Sequence, residues 1–200
     1  MAKPRLDAAP MLGTLPAAFT RRQALNAGLS DDLLERLTSE GELIRFSHGL
    51  YADERSSLLD LDLAEAHLRS PRATLCLRSA LARHDLIDEI PARHDLAIAR
   101  GEHRARMSAP VQWHQYDPQT FDIGRTATEF GRGLQIGMYD APRSIVDAFN
   151  PRLGLPREQA IEALRGWLTR KGSQPSTLLD LAQHWPHARA GLVDVLQVLL

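Results

Sequence analysis

The sequence predicts an α+β protein in two parts: an N-terminal winged helix-turn-helix over residues 1–55, then a mixed α/β C-terminal domain over residues 56–200. Three observations predict it. Two capped helical segments follow one another between Thr20 and Gly41, a short hairpin pattern follows at once, and the remainder mixes brief apolar runs with helical periodicity. There is no internal repeat and no low-complexity segment.

Met1–Pro10 reads as a polar, flexible arm, and Met11–Ala18 as a short helix weakened by Gly13 and Pro16. Thr20 is a good N-cap for Arg21–Ala27, and Gln23 stands three residues on, as a capping box requires. Gly28 ends that helix and Ser30 caps the next, with Asp31 and Asp32 in its first turn and Gly41 at its stop. Leu29, Leu33, Leu34 and Leu37 recur at helical spacing and form its buried face. Leu43–Phe46 and Leu50–Ala52 are short strands joined by Ser47-His48-Gly49.

Asp53–Asp60 is a polar linker. Helices are expected at Leu61–Arg69, Ser79–Leu86, Arg143–Phe149, Arg157–Arg170, Pro175–His184 and Ala188–Leu200. Strand character marks Leu96–Ala99, Val111–Tyr116, Phe121–Thr128 and Leu134–Met138, with Ala73–Leu77 a strand or a turn. On Arg157–Arg170 the buried stripe is Ile161, Leu164 and Leu168, leaving Arg165 outward. The apolar C-terminal helix either docks on the core or makes an oligomer contact.

Composition narrows the function. The chain of 200 residues carries a net charge of −1, so attraction to nucleic acid or an anionic membrane must come from a local patch. A single cysteine, Cys76, forms no intrachain disulfide and suits a reducing compartment. No apolar run approaches a membrane span and Met1–Pro10 lacks a signal-peptide core, so a cytoplasmic location is expected.

A helix followed within a few residues by a hairpin presents the helix to the major groove and the hairpin to the backbone. The candidate DNA contacts are therefore Thr20, Arg21, Arg22 and Gln23 at the start of the first helix. Ser30, Asp31, Asp32, Glu35, Arg36 and Ser39 follow on the second, and Arg45, Ser47 and His48 on the wing. The difficulty is charge. Residues 1–52 hold Lys3, Arg5, Arg21, Arg22, Arg36 and Arg45 against Asp7, Asp31, Asp32, Glu35, Glu40 and Glu42, so the module is neutral. Neutralised phosphates usually carry affinity. Carboxylates in a first turn stabilise the helix dipole and can accept from cytosine N4, so they discriminate without attracting. The competing expectation is a winged helix that docks a protein partner and never touches DNA.

FTRRQALNAGLSDDLLERLTSEGELIRFSHGLYA, residues 19–52, resembles the winged helix of AbiEi-type antitoxins, the regulatory half of type IV toxin–antitoxin operons. Ser79–Asp88 and Ala141–Phe149 resemble later segments of the same family. The resemblance implies a transcriptional autorepressor that binds inverted repeats in its own promoter as a dimer. It also implies that the C-terminal domain counters a nucleotidyltransferase-type toxin, directly or indirectly. Family members carry more Arg or Lys on the recognition helix than this chain does.

No enzymatic chemistry is expected. The module also occurs fused to nuclease domains, but LAIAR, VQWHQY and LQIGMY are nearly free of acids, and no E-x-K or Q-x-K lies on a strand. No phosphate-cradling or nucleophile motif occurs, and neither a cofactor nor a metal is expected. In His184-x-x-His187, Pro186 breaks the helix that would align the pair. RGEHRAR, residues 100–106, is the most basic stretch. It is either a solvated loop or, through Arg100, Arg104 and Arg106, a contact for a partner.

Overall fold

The computed structural model describes residues 8–55 and 59–199, which fall into two compact units. The first comprises residues up to Pro71 together with 105–109 and 129–136; the second comprises 72–104, 110–128 and 137 onward. The helix at residues 61–69 thus groups with the winged helix, although the sequence begins its second domain at residue 56.

In the first unit, α1 (Ala9–Thr14) leads to β1 (Ala18–Thr20), α2 (Arg21–Asn26), α3 (Asp31–Ser39), β2 (Leu43–Ser47), β3 (Leu50–Asp53) and α4 (Leu61–Arg69). The three strands are antiparallel in the order β1-β3-β2, with Ala18 opposite Ala52 and Arg45 opposite Tyr51. This is a winged helix-turn-helix. Thr20 and Gln23 form the expected capping box, and Ser30 caps α3 through Leu33 N–H. Leu29, Leu33, Leu34 and Leu37 are buried with Leu12, Phe19, Leu43 and Tyr51, and Phe19 stacks on Tyr51 at 6.2 Å between centroids.

Two expectations fail here. The helix placed at Met11–Ala18 lies at Ala9–Thr14, because proline is tolerated in a first helical turn and Pro10 takes that position. Ala18–Thr20 is a strand instead. Three residues are too few for a readable alternation, and pairing with β3 decides their conformation. Of the arm expected at Met1–Pro10, residues 1–7 lie outside the described residues, Ala8 is buried, and Ala9 and Pro10 begin α1. Of the expected linker, Asp53 ends β3 and residues 56–58 lie outside the described residues.

The second unit holds most of a five-stranded mixed sheet in the order β6-β5-β4-β8-β7, of which residues 129–136 at the turn of the last two strands group with the first unit. Its strands are β4 (Thr74–Leu75), β5 (His94–Ala99), β6 (Val111–Tyr116), β7 (Arg125–Gly131) and β8 (Leu134–Tyr139). β4 runs antiparallel to β5 and parallel to β8, while β5 and β6 are parallel neighbours in register His94 to Val111. The strand expected from Phe121 begins only at Arg125, because residues 119–124 form turns closed by Gly124 at φ 70°.

Helices α5 (Leu77–Arg83), α6 (Ala141–Ala148), α7 (Arg157–Leu168), α8 (Pro175–Leu181) and α9 (Pro186–Leu199) complete the unit, with a 3-10 turn at Ala182–His184. Their core joins Leu81, Ile145, Val146, Leu164, Trp167, Leu178, Leu192 and Leu196. On α7 the buried stripe is Ala160, Ala163, Leu164 and Trp167. These four stand at i, i+3, i+4 and i+7 and so share one helical face, while Ile161 and Leu168 are only partly buried at its margin. The apolar α9 docks on this core through Ala188, Leu192, Val195 and Leu196, leaving Val198 exposed. No helix among the described residues is long and apolar enough to cross a membrane.

Candidate nucleic-acid interface

The leucine face of α3 is buried, so the opposite face is what the helix can offer to a groove: Asp31, Asp32, Glu35 and Ser39 exposed, and Arg36 half-buried. The acids are not all idle. Arg21 grips Asp31 with two hydrogen bonds, Nε to Oδ1 at 2.7 Å and Nη2 to Oδ2 at 2.5 Å. This contact spans the turn between α2 and α3 and answers the charge question locally. The carboxylate holds the guanidinium that the sequence offers to a phosphate. Hydrogen bonding to Arg21 lowers the Asp31 carboxyl, and the same bond raises the Arg21 guanidinium. Arg36 pairs with Glu40 at 3.1 Å one turn along the helix.

Several of the expected contacts serve the scaffold. Gln23 Oε1 accepts from Thr20 N–H at 2.8 Å, and Ser39 Oγ donates to Arg36 C=O at 2.7 Å. Ser47, where the wing is bulged, is held by a buried carboxylate. Its hydroxyl donates to Glu65 Oε1 at 2.8 Å and accepts from Arg69 Nη2 at 2.9 Å. Glu65, on α4, also takes Arg69 Nε and the backbone N–H groups of Ser108 and Ala109. Burial alone would push this carboxyl up. Its donors, with Ser47 and Ala109 foremost, outweigh that and hold it below the usual range.

What remains for phosphates is Arg22, exposed on α2, and Arg45 with His48 at the wing tip, whose side chains approach to 3.5 Å. Among the described residues Arg22 has no ion-pair partner. The basic stretch does not behave as one element: Arg100 and Arg104 belong to the second unit, and Arg106 to the first.

Residues 18–52 match the family model described as transcriptional regulator, AbiEi antitoxin. The resemblance read in the sequence therefore holds over the winged helix. The AbiEi-type segment starts at β1 and ends within β3, so it contains the capping box, α3 and the wing and stops short of Glu65. The matched family is one of regulators, not of enzymes. No curated protein matches the chain.

Sequence reasoning missed Glu65 and Arg69, which look like an ordinary helical i,i+4 pair; only the fold brings Ser47 against them. It also missed the Arg21–Asp31 clamp, since ten residues across a turn leave no periodic signal. In the second unit it missed Arg143 and Asp147, a wholly buried ion pair on α6 at 2.9 Å. Their i,i+4 spacing inside a helix with no other charged residue was the available hint.

Proposed function

We propose that this chain is a DNA-binding transcriptional autorepressor that serves as the antitoxin of a type IV toxin–antitoxin operon. The observation that carries the proposal is the AbiEi-type match over β1 to β3, coincident with a complete winged helix whose α3 face is open. In this reading a dimer sets two α3 helices into successive major grooves, about 34 Å apart, on inverted repeats of its own promoter. Arg22, Arg45 and His48 anchor phosphates. Asp32 and Glu35 discriminate between bases as acceptors, and Asp31 restrains Arg21. The C-terminal unit counters a nucleotidyltransferase-type toxin.

The test is binding of the purified protein to its upstream region across a salt series, with a scrambled duplex as control. Arg22→Ala combined with Arg45→Ala should reduce the slope of log affinity against log salt by about 2, close to 0.9 per phosphate contact. Equal binding to both duplexes at every salt would refute the repressor. For the antitoxin half, the chain expressed from an unrelated promoter should relieve growth arrest by the neighbouring toxin. The clamped Arg21 favours one other reading, a winged helix that docks a protein. It predicts no preferred duplex and capture of a defined partner through α3.

A further inference from the structure

A cavity of about 390 Å³ opens within the second unit, between the end of β6, the 119–120 turn, α6 and the start of α9. Its volume lies in the range of small-molecule sites, about 300 to 1,000 Å³. Its wall is unusual in what it leaves unpaired. Arg143 is wholly buried, yet only part of its guanidinium is used: Nε holds Asp147, and Nη1 donates to the carbonyls of Thr120 and Ile123 at 2.8 and 2.7 Å. Arg143 Nη2 has no hydrogen-bond partner among the described residues. Asp147 Oδ2 and the Tyr116 hydroxyl meet no partner in ordinary hydrogen-bond geometry, although the hydroxyl is near enough to the Asp147 carboxylate to help lower it; all three belong to cavity-lining residues. Buried polar atoms are rarely left in that state, because each forfeits its hydration without replacement.

Charge at the mouth points the same way. Arg100 and Arg152 are exposed there, and their guanidinium groups make no hydrogen bond or ion pair with another described residue. His184 and His187 stand on the same rim. Counting the lining groups, Arg100, Arg143 and Arg152 against Asp117 and Asp147, the cavity is positive by one charge with neutral histidines, in a chain of net charge −1. Arg143 and Asp147 satisfy each other's charge, so the unpaired cations are those of the rim.

We propose that this cavity binds a sugar phosphate: a phosphate monoester at Arg100 and Arg152, with a sugar hydroxyl turned to Arg143 and Asp147. Two forked guanidinium groups and two imidazoles suit a dianion better than the single charge of a carboxylate. A hydroxyl both donates and accepts, which is what an orphan Nη2–H beside an orphan Oδ2 requires. The Trp185 ring lies 4.1 Å from the Arg143 guanidinium, so an occupant touching Arg143 alters the surroundings of that indole.

The experiment titrates ribose 5-phosphate and glucose 6-phosphate into the full chain by calorimetry, following tryptophan fluorescence in parallel. Saturable binding by either probe, at least tenfold tighter than ribose or glucose alone, is expected. Arg100→Ala with Arg152→Ala changes only exposed rim residues, and should weaken binding at least tenfold while the circular dichroism spectrum stays the same. No heat and no fluorescence change with either probe up to about 10 mM, the edge of measurable affinity, would overturn the proposal. Inorganic phosphate binding as tightly as the sugar phosphates would overturn the sugar half. A 5′-phosphorylated dinucleotide that binds more tightly, and loses that advantage in the variant, would instead identify the occupant as a nucleic-acid end.

Discussion

If Asp31 restrains Arg21, removing its charge should strengthen DNA binding. Asp31→Asn keeps the size of the side chain and one acceptor, but it replaces a bidentate ionic grip of 2.7 and 2.5 Å with a neutral contact. Arg21 sits beside Arg22 at the start of α2 and becomes available for one more phosphate. One added contact steepens the salt slope by about 0.9, so affinity falls roughly 3.5-fold more between about 50 and 200 mM salt than it does for the wild type. The gain should therefore be greatest at low salt and equal on operator and scrambled duplexes, since a phosphate contact carries no sequence information. Fluorescence anisotropy of a labelled duplex across four salt concentrations measures it. An unchanged slope with unchanged affinity would show that Arg21 does not face the backbone. A loss of affinity on the operator alone would show that Asp31 itself reads a base.

Three further outcomes concern Glu65, Gly124 and Asp147. Glu65→Gln should cost the first unit about 1–3 kcal/mol in urea unfolding at pH 7, because the amide leaves charge-assisted donors from Ser47, Arg69, Ser108 and Ala109 poorly matched. The Glu65 carboxyl is depressed in the folded state, so its contribution is present above the ordinary value of 4.5 and is lost as pH falls through the lower folded value; the variant should lack that acid limb. Gly124→Ala should destabilise the second unit by roughly 2–4 kcal/mol in thermal or chemical melts, since it puts a side chain at φ 70° and a Cβ 2.7 Å from that of Arg143. Asp147 is pushed up to about 6 by burial, ahead of what Arg143 offsets. Its favourable contribution is full below 3.8 and fades as pH rises through about 6. The stability of wild type relative to Asp147→Asn should then fall by roughly 3 kcal/mol across that window; a flat difference between pH 4 and 7 would mean the carboxyl stays ionised throughout.

The parts legible in the sequence are those settled by local physics. Capping at Thr20 and Ser30 and the leucine spacing of α3 depend on residues three or four apart, so the winged helix and its resemblance are legible from the order of residues alone. The same is true of Leu61–Arg69 and Val111–Tyr116, whose bounds agree with the observed elements. Short or switch-like segments are not legible in this way. Ala18–Thr20 takes its strand conformation from Leu50–Ala52 across the sheet, and Phe121 falls in a turn because Gly124 closes it.

The order of residues alone fixes which of them cap, which face of α3 is apolar, and that residues 1–52 carry as many acids as bases. Tertiary structure decided what those charges do. Asp31 meets Arg21 only when α2 and α3 fold against each other, and Ser47 meets Glu65 only when α4 packs beneath the wing. It also set β5 and β6 parallel across the short connection 100–110, and buried Arg143 with Asp147 beside a cavity of unpaired polar atoms. The physical reason is range. Helix caps and hydrophobic periodicity act within a turn or two of chain, whereas an ion pair or a parallel register is chosen by whichever distant group the packed core brings within about 3 Å.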